Sequence, residues 1–219
     1  YVHTAFPNNV YALDLNNNQK VVWSYFPKQD PSVQAVLCCD NVNRGLGFGN
    51  GKIFLQQNDG NLVALNAKTG AKVWSTSNVD PKVGATNTNA PHVINDKVLT
   101  GCSGAEFGVR CFIAAYNIED GSLAWKAMST GPDSEVLIGA DFNKENPLYS
   151  ALSVYEDVNG GNVEGGSFKR IPNDQLQGGV ADLGLKTWLK PQAVKDGWQH
   201  GGGSTWGWWP YDAKTNLVY

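Results

Sequence analysis

The hydrophobic pattern of this chain repeats one phrase, three times in full and once in part. In each full copy, alternating apolar and polar residues lead into a polar turn, and a second short segment ends in tryptophan. The copies place Trp23, Trp74 and Trp125 at equal intervals of 51 residues, and a fourth copy begins at Pro210. Alternation is typical of half-buried strands, and Asn, Asp and Gly are typical of tight turns. The phrase therefore predicts a recurring β-hairpin.

The period of the phrase indicates an array of similar structural units. Roughly four strands fit into one period at typical strand and loop lengths, and four strands form one blade of a propeller. A single hairpin cannot bury its own apolar face, so neighbouring units must cover it. We expect the recurring tryptophan to pack between adjacent blades. The alternative is three unrelated hairpins with core tryptophans, which the equal spacing and the shared phrase make unattractive.

Composition supports an all-β repeat protein and excludes two other classes. The chain has 25 glycines, 8 tryptophans and a net charge of −3. It has no basic stripe of the kind that binds nucleic acid, and no apolar run near the ~20 residues of a transmembrane segment.

Three blades and part of a fourth cannot close a ring, because propellers have about four to eight blades. We expect residues 1–219 to be a partial propeller domain, a fragment of a longer polypeptide with no targeting segment of its own.

Residues at about 129–200 break the period and are predicted to form an insertion in this domain. The third and fourth copies are separated by more than one period, and the extra residues include several Gly-Gly pairs. Long excursions from a rigid scaffold often carry function or contact partners. The sequence of this insertion does not indicate which.

The four cysteines form two pairs with different geometric constraints. Cys38 and Cys39 are adjacent, so their Cα atoms lie ~3.8 Å apart, whereas an ordinary disulfide requires roughly 4.4 to 6.8 Å. A bond between them would be strained, and such strain occurs mainly at functional sites. The alternative is two reduced cysteines on opposite faces of a strand. Cys102 and Cys111 flank a predicted hairpin with a glycine at its tip; they are either bonded, in an oxidising compartment, or two buried thiols.

Two further segments could carry chemistry. Glu106 follows Ser103, Gly104 and Ala105, and a carboxylate beside exposed backbone could bind a hard cation; the alternative is a solvated glutamate. Residues 201–209 combine consecutive glycines with three tryptophans. Glycine permits close approach to a flat ligand, and tryptophan offers a stacking surface. The alternative is the inner strand of a blade. The three histidines have no metal-ligand spacing.

Taken in order, these segments resemble the quinoprotein alcohol dehydrogenases that use pyrroloquinoline quinone (PQQ), especially the methanol dehydrogenase large-subunit family. The resemblance covers nearly the whole chain, as its N-terminal part. It rests on segments 38–46, 62–74, 103–110, 129–133 and 202–212. The family implies an eight-bladed propeller with the quinone on its axis, about three to four blades of which are present here.

The resemblance also implies roles for individual residues. Cys38 and Cys39 would form a vicinal disulfide over one face of the quinone, and Trp206 would stack on the other face. Glu106 would ligate the metal, either calcium or a lanthanide. The residues expected to hydrogen-bond or pair with the quinone are Arg44, Thr88, Ser103, Gly104, Ala105 and Ser204. An arginine suits this role because its planar fork matches a carboxylate.

The implied activity is oxidation of a primary alcohol, methanol or another short alcohol. The metal would polarise a quinone carbonyl, an aspartate would accept the alcohol proton, and hydride would pass to the quinone. Electrons would then pass to a c-type cytochrome, in a periplasmic enzyme that is a homodimer or heterotetramer. In this family the catalytic aspartate lies beyond the segment that matches 202–219. We therefore assign no catalytic residue within the chain and expect these residues alone to be inactive.

A second hypothesis is a non-catalytic propeller of the same repeat type, such as a scaffold for outer-membrane assembly. A scaffold would need neither the adjacent cysteines nor Glu106 beside Trp206. These features favour the enzyme.

Overall fold

A computed structural model describes residues 1–37, 40–138, 155–157, 168–178, 182, 184–185, 188 and 196–219. The chain divides into two compact units, Tyr1–Ser129 with Gly201–Tyr219, and Thr130–His200. The prediction of an all-β fold is confirmed, since the regular elements in these ranges are antiparallel strands and short 3-10 helices. Within the described ranges, no helix has the length and apolar character needed to cross a bilayer. That residues 1–219 form one partial propeller domain with an insertion stays a prediction.

The first unit contains three antiparallel sheets and one further hairpin. Sheet 1 consists of β1 (Val2–His3), β2 (Val10–Asp14) and β3 (Lys20–Tyr25). Sheet 2 consists of β4 (Gly47–Gly49), β5 (Lys52–Gln56), β6 (Asn61–Asn66) and β7 (Lys72–Ser77). Sheet 3 consists of β8 (His92–Ile94), β9 (Lys97–Thr100), β10 (Phe112–Asn117) and β11 (Leu123–Met128). In the second unit β12 (Tyr155–Asp157) pairs with β13 (Phe168–Arg170), and the first unit ends with the hairpin of β14 (Tyr211–Asp212) and β15 (Leu217–Val218).

Short 3-10 helices connect several strands. They span Pro31–Val36, Pro81–Val83 and Ala105–Phe107 in the first unit, and Asn173–Gln175 and Gly197–Gln199 in the second. The first two begin with an Asp whose side chain accepts a backbone hydrogen bond, followed by Pro. This is the usual chemistry of a helix start.

Sheets 2 and 3 are four-stranded meanders in sequential order, as expected for propeller blades. The repeated phrase forms the last two strands of each sheet. In all three copies an alanine pairs with the recurring tryptophan, and the register shifts immediately after that alanine, which is Ala12, Ala64 or Ala115. The same irregularity at the same repeat position confirms that the copies are equivalent structural units.

Sheet 2 is buried on both faces. Ile53 and Leu55 belong to the apolar cluster shared with sheet 1, whereas Phe54 and Leu62 belong to the cluster shared with sheet 3. Successive residues of a strand point to opposite faces. A strand covered on both sides is therefore apolar on both faces, as β5 and β6 are between their polar end residues.

Two of the recurring tryptophans join neighbouring sheets. The Nε1 of Trp23 donates to the carbonyl oxygen of Ala67 at 3.0 Å, and the Nε1 of Trp74 donates to that of Ile118 at 3.2 Å. Each indole lies against the glycine of the next repeat, Gly70 or Gly121. For these two residues, packing between blades is confirmed.

Trp125 differs from the prediction. Its side chain is 39 % exposed and lines a cavity of about 290 Å³ together with Tyr211, Asn216 and Val218. The fourth copy offers only β14 and β15, of two residues each, so it covers less of the indole.

Candidate cofactor site

The fold brings Arg44 to Thr88, although the two residues are 44 positions apart in the sequence. The backbone N–H of Arg44 donates to the Thr88 carbonyl oxygen at 3.0 Å. The Nη1 of the same arginine donates to the Thr88 hydroxyl and, at 3.4 Å, to its carbonyl. Thr88 is buried. Backbone and side chain of Arg44 are therefore both anchored on one buried residue, which limits the positions that the guanidinium can adopt.

The guanidinium of Arg44 also meets Trp206. Its central carbon lies 4.6 Å from the centre of the indole ring, within the range of a cation–π contact. Trp206 is 44 % exposed, so part of its ring is accessible. The guanidinium lies over one face of the indole, so a planar ligand would stack on ring surface that the guanidinium leaves open and would pair its own edge with this fixed positive charge. This arrangement suits a flat molecule with an anionic edge.

Ser103 and Thr86 place two buried hydroxyls side by side. The N–H of Ser103 donates to the Thr86 carbonyl at 2.7 Å, and the N–H of Thr86 donates to the Ser103 carbonyl at 3.2 Å. Neither hydroxyl oxygen has a hydrogen-bond partner among the described residues. A buried hydroxyl without a partner costs about 1 to 3 kcal/mol. These two atoms therefore fit a polar ligand group.

Thr86 was missing from the residues predicted from the sequence. The available signal was the alternation of Thr86, Asn87, Thr88 and Asn89, which places the threonines on one side of an extended segment and the asparagines on the other. All four residues are buried. The side chain of Asn87 donates to the Thr100 hydroxyl and to the Gly101 carbonyl, both at 2.6 Å.

The loop that carries Glu106 depends on glycine. Gly104 has φ +114°, and a Cβ at this position would lie 2.2 Å from the carbonyl oxygen of Gly84. The chain then forms the 3-10 helix Ala105–Phe107, in which the N–H of Phe107 donates to the Gly104 carbonyl at 2.9 Å. The sequence predicts a hairpin tip here, and the structure has a helical turn instead. The tight approach to Gly84 leaves no room for a side chain at position 104.

Glu106 is exposed in the first turn of that helix. In the part of the chain that the structure describes, no group of three or more His, Cys, Asp or Glu residues could hold a metal ion. Calcium takes six to eight oxygen ligands. Glu106 therefore fits a cation site only as one contributor, with the other oxygens supplied by a cofactor, water and other residues.

The cysteine pair around this loop is bonded. Cys102 and Cys111 form a disulfide with a Cα–Cα distance of 5.4 Å, and both residues are fully buried. Of the two alternatives that the sequence left open, the disulfide is confirmed. Cys38 and Cys39, which the sequence predicts to cover the quinone, lie outside the described residues.

The segment that carries Ser204 and Trp206 is docked on the same two cysteines. The N–H of Thr205 donates to the Cys102 carbonyl at 2.8 Å, and the N–H of Cys102 donates to the Thr205 hydroxyl at 3.0 Å. The N–H of Cys111 donates to the Gly202 carbonyl at 3.3 Å. The segment forms no strand, so the alternative of an inner blade strand is wrong.

A buried polar layer supports this docking. Asn78 donates to the Gly101 carbonyl at 2.9 Å and accepts from the hydroxyl of Tyr116 at 3.0 Å. Burial raises the pKa of Tyr116 to about 12, so this hydroxyl remains a donor at any physiological pH. Gly101 is itself packed against Thr205, since a Cβ at Gly101 would lie 2.0 Å from the Thr205 carbonyl oxygen.

The predicted site residues thus fall into three groups. In the first group, Arg44 contacts both Thr88 and Trp206. Ser103, Gly104, Ala105 and Glu106 lie on the loop that the disulfide closes. Ser204 is exposed between residues of the docked segment.

Comparison with known proteins gives the chain its family. The family model PQQ_2, described as outer membrane protein assembly factor BamB, matches residues 1–155. Methanol dehydrogenase (cytochrome c) subunit 1 of Methylorubrum extorquens is 43 % identical over 225 residues, covering 100 % of this chain and 30 % of the relative. Lanthanide-dependent methanol dehydrogenase of Methylacidiphilum fumariolicum is 44 % identical over 220 residues, with the same two coverages.

A solved structure has the same fold. A europium-containing methanol dehydrogenase superposes with a TM-score of 0.76 at 42 % identity, covering 100 % of this chain and 32 % of that chain. The chain therefore spans about a third of the length of the relatives that it matches. It belongs to the PQQ_2 family, and it is similar along its whole length to about a third of each of these methanol dehydrogenases.

Proposed function

We propose that the protein containing this chain oxidises a primary alcohol, methanol or another short alcohol, with PQQ and a metal ion, and passes the electrons to a c-type cytochrome. The observation that carries the proposal is the convergence of Arg44, Thr88 and Trp206, which together offer a partly exposed aromatic ring and a fixed cation in contact with it. The names of the relatives, methanol dehydrogenases in each case, support the same activity.

The residues of this chain would bind and orient the cofactor. Arg44 would pair with a carboxylate of the quinone, and Trp206 would hold the ring plane. The buried hydroxyls of Ser103 and Thr86 would hydrogen-bond to its polar groups. Glu106 would supply carboxylate oxygen to the cation. When bound, the quinone would supply the capacity to accept hydride and the cation would supply Lewis acidity, while the residues of this chain would hold both in place.

Other features of the proposal rest on the family. The catalytic aspartate would lie outside these 219 residues, and Cys38 and Cys39 would cover the second face of the quinone. The cation is calcium or a lanthanide; relatives of nearly equal identity include lanthanide-dependent enzymes. We place the protein in the periplasm, as a homodimer or heterotetramer.

The proposal is tested on the protein that contains this chain, purified without cofactor and supplied with PQQ and either calcium or a lanthanide ion. We expect quinone absorption and reduction of an electron-accepting dye with short primary alcohols. Glu106→Gln should abolish dye reduction, because the cation loses a carboxylate ligand. Glu119→Gln is the matched control. Glu119 is an exposed glutamate that pairs with Lys52 in sheet 2, and such a pair contributes little, so activity should persist.

A second candidate function is a non-catalytic scaffold. It is favoured by the description of the family model, which names an outer membrane assembly factor. A protein that binds no quinone and reduces no dye with any alcohol, with either metal, would support the scaffold and contradict the dehydrogenase.

A further inference from the structure

We propose that the buried Cys102–Cys111 disulfide is a positioning element of the cofactor site, which holds the Glu106 loop and the Trp206 segment in one fixed relationship. This inference rests on the proposed function, because it assigns the bridge a role toward the cofactor and the cation. It concerns residues that neither bind the quinone nor ligate the metal themselves.

The bridge lies at the base of the loop that carries Glu106. The two cysteines are nine positions apart, and the residues between them include Ser103, Gly104, Ala105 and Glu106. The bond therefore joins the base of the loop that carries most of the expected ligands. Both cysteines are fully buried and belong to the apolar cluster between sheets 2 and 3. The base of the loop is thus tied to the rigid part of the fold.

The segment that carries Trp206 is attached to both cysteines of the bridge. Thr205 exchanges hydrogen bonds with Cys102, and Gly202 accepts one from Cys111. The segment is therefore bonded to both sides of the loop base, one cysteine on each side. The disulfide fixes the spacing of the two attachment points just beyond the end of the β9–β10 pairing, where Thr100 faces Ala114. If the two sides separated, at least one of these attachments would be lost or displaced, and Trp206 with it.

Apart from the bridge, the loop is held by the Ser103–Thr86 hydrogen bonds, by the close approach of Gly104 to Gly84 and by bonds within its own turn. Its internal order rests on the N–H groups of Phe107, Gly108 and Val109, which donate to the Gly104 or Ala105 carbonyls at 2.9 to 3.1 Å. Glu106, Phe107 and Gly108 are exposed. The β9–β10 pairing ends at Thr100 and Ala114, so without the bridge the loop beyond this pair loses its covalent restraint, and an exposed turn with two glycines at positive φ gains accessible conformations. A bond between the two ends of the loop holds the Glu106 carboxylate near its binding position. This increases the affinity for the cation, because less conformational entropy is lost on binding.

The test compares Cys102→Ala/Cys111→Ala with wild type in the protein that contains this chain. Two quantities are measured: hydrogen exchange of the backbone amides of residues 104–110, and affinity for Tb³⁺ in the presence of PQQ, followed by terbium luminescence. Supporting groups around metal ligands typically change affinity ~10- to 100-fold. We expect the double variant to lose Tb³⁺ affinity by about that factor and to exchange these amides at least ~10-fold faster.

The matched control is Val10→Ala, a cavity in the separate cluster between sheets 1 and 2. It lowers thermal stability without touching the loop, so exchange at 104–110 and Tb³⁺ affinity should stay within about twofold of wild type at an equal distance below the melting temperature. If the double variant does not fold, Cys102→Val/Cys111→Ala restores apolar volume and takes its place.

The outcomes are separable. Unchanged exchange and affinity in the double variant would overturn the inference, as would an equal increase in exchange in Val10→Ala, because the effect would then report general stability. A wild-type protein that binds no Tb³⁺ with PQQ would contradict the proposed function instead. In that case the exchange comparison alone still decides whether the bridge holds the loop.

Discussion

At the scale of single residues, the position of Arg44 depends on one buried hydroxyl. The guanidinium is a flexible, exposed group that would ordinarily sample many rotamers. The Thr88 hydroxyl and carbonyl hold it beside Trp206. The affinity of the site for an anionic planar ligand should therefore depend on Thr88, even where that residue makes no contact with the ligand.

This gives a prediction for position 88. Thr88→Val keeps the shape of the side chain but removes the hydroxyl that accepts from Arg44. We expect PQQ to bind at least ~10-fold more weakly, since a hydrogen bond to a charged group contributes about 1.5 to 3 kcal/mol. Quenching of tryptophan fluorescence measures the affinity. Thr88→Ser keeps the hydroxyl and should bind PQQ nearly as wild type; equal binding by all three proteins would contradict the role of Thr88.

A second residue-scale prediction concerns pH. The ring of His92 packs 4.5 Å from that of Trp208, and its Nδ1 is buried with no partner among the described residues. Burial lowers the pKa of His92 below its ordinary value of 6.5. The unfolded chain therefore takes up this proton at a higher pH than the folded chain does. The stability that neutral His92 confers is complete above pH 6.5 and is lost as the pH falls from that value through the folded-state pKa.

Urea unfolding at a series of pH values measures this effect. In His92→Phe, which keeps an aromatic ring against Trp208, the free energy of unfolding should fall less steeply than in wild type between about pH 7 and about pH 5. Identical slopes in the two proteins would show that His92 does not contribute.

Single residues also show where prediction from sequence ends. Arg44, Trp206 and Glu106 could be singled out because ordered motifs along the chain resemble a known family. For Thr86 the sequence offers only its alternation with Thr88, because its importance comes from pairing with Ser103, and that pairing depends on how two distant segments meet. The bond between Cys102 and Cys111 was also undetermined, since spacing alone does not fix whether two sulfurs meet.

At the scale of elements, one recurring contact between blades is an indole against a glycine. Gly70 has φ +72°, and a Cβ there would lie 2.5 Å from the Cε3 of Trp23. Gly51 has a similar φ of +69°, but a Cβ there would meet nothing within 4 Å. The two positions therefore differ in packing and share the same backbone requirement.

We expect Gly70→Ala to destabilise the protein more than Gly51→Ala. Both alanines carry the cost of a left-handed backbone, about 1 to 2 kcal/mol. Only Gly70→Ala must also displace the Trp23 indole, at a further cost of about 1 to 3 kcal/mol. Chemical denaturation of the two variants gives the difference directly. If the free energy of unfolding falls by the same amount in both variants, the Trp23 indole does not pack against Gly70 in solution.

The strands were predictable as elements because alternation and turn residues are local properties. The repeat also predicted that these strands assemble as blades, which four-stranded sheets 2 and 3 confirm. The 3-10 turn at Ala105–Phe107 and the irregular docked segment were not predictable. Their conformations depend on close approaches, Gly104 to Gly84 and Gly101 to Thr205, between residues that the local sequence does not connect.

At the scale of the whole molecule, the cofactor and cation should be part of what stabilises the loaded protein. A ligand that binds only the folded state stabilises it by about 2.7 kcal/mol at a concentration 100-fold above its Kd. Removal of the cation with a chelator should therefore lower the melting temperature of the PQQ-loaded wild type by several degrees. The melting temperature of Glu106→Gln should change little on chelation, because this variant holds its cation only weakly before the chelator is added. An equal shift in both proteins would indicate that the cation binds elsewhere.

Arg44, Trp206 and the Glu106 loop should together form one cofactor site. The most direct measurement is a crystal structure of the protein containing this chain, loaded with PQQ and calcium or a lanthanide. We predict a quinone stacked on the Trp206 ring, a quinone carboxylate paired with Arg44, and a Glu106 oxygen ~2.3 to 2.6 Å from the cation. A quinone bound away from Trp206, or a cation without Glu106 among its ligands, would contradict the account.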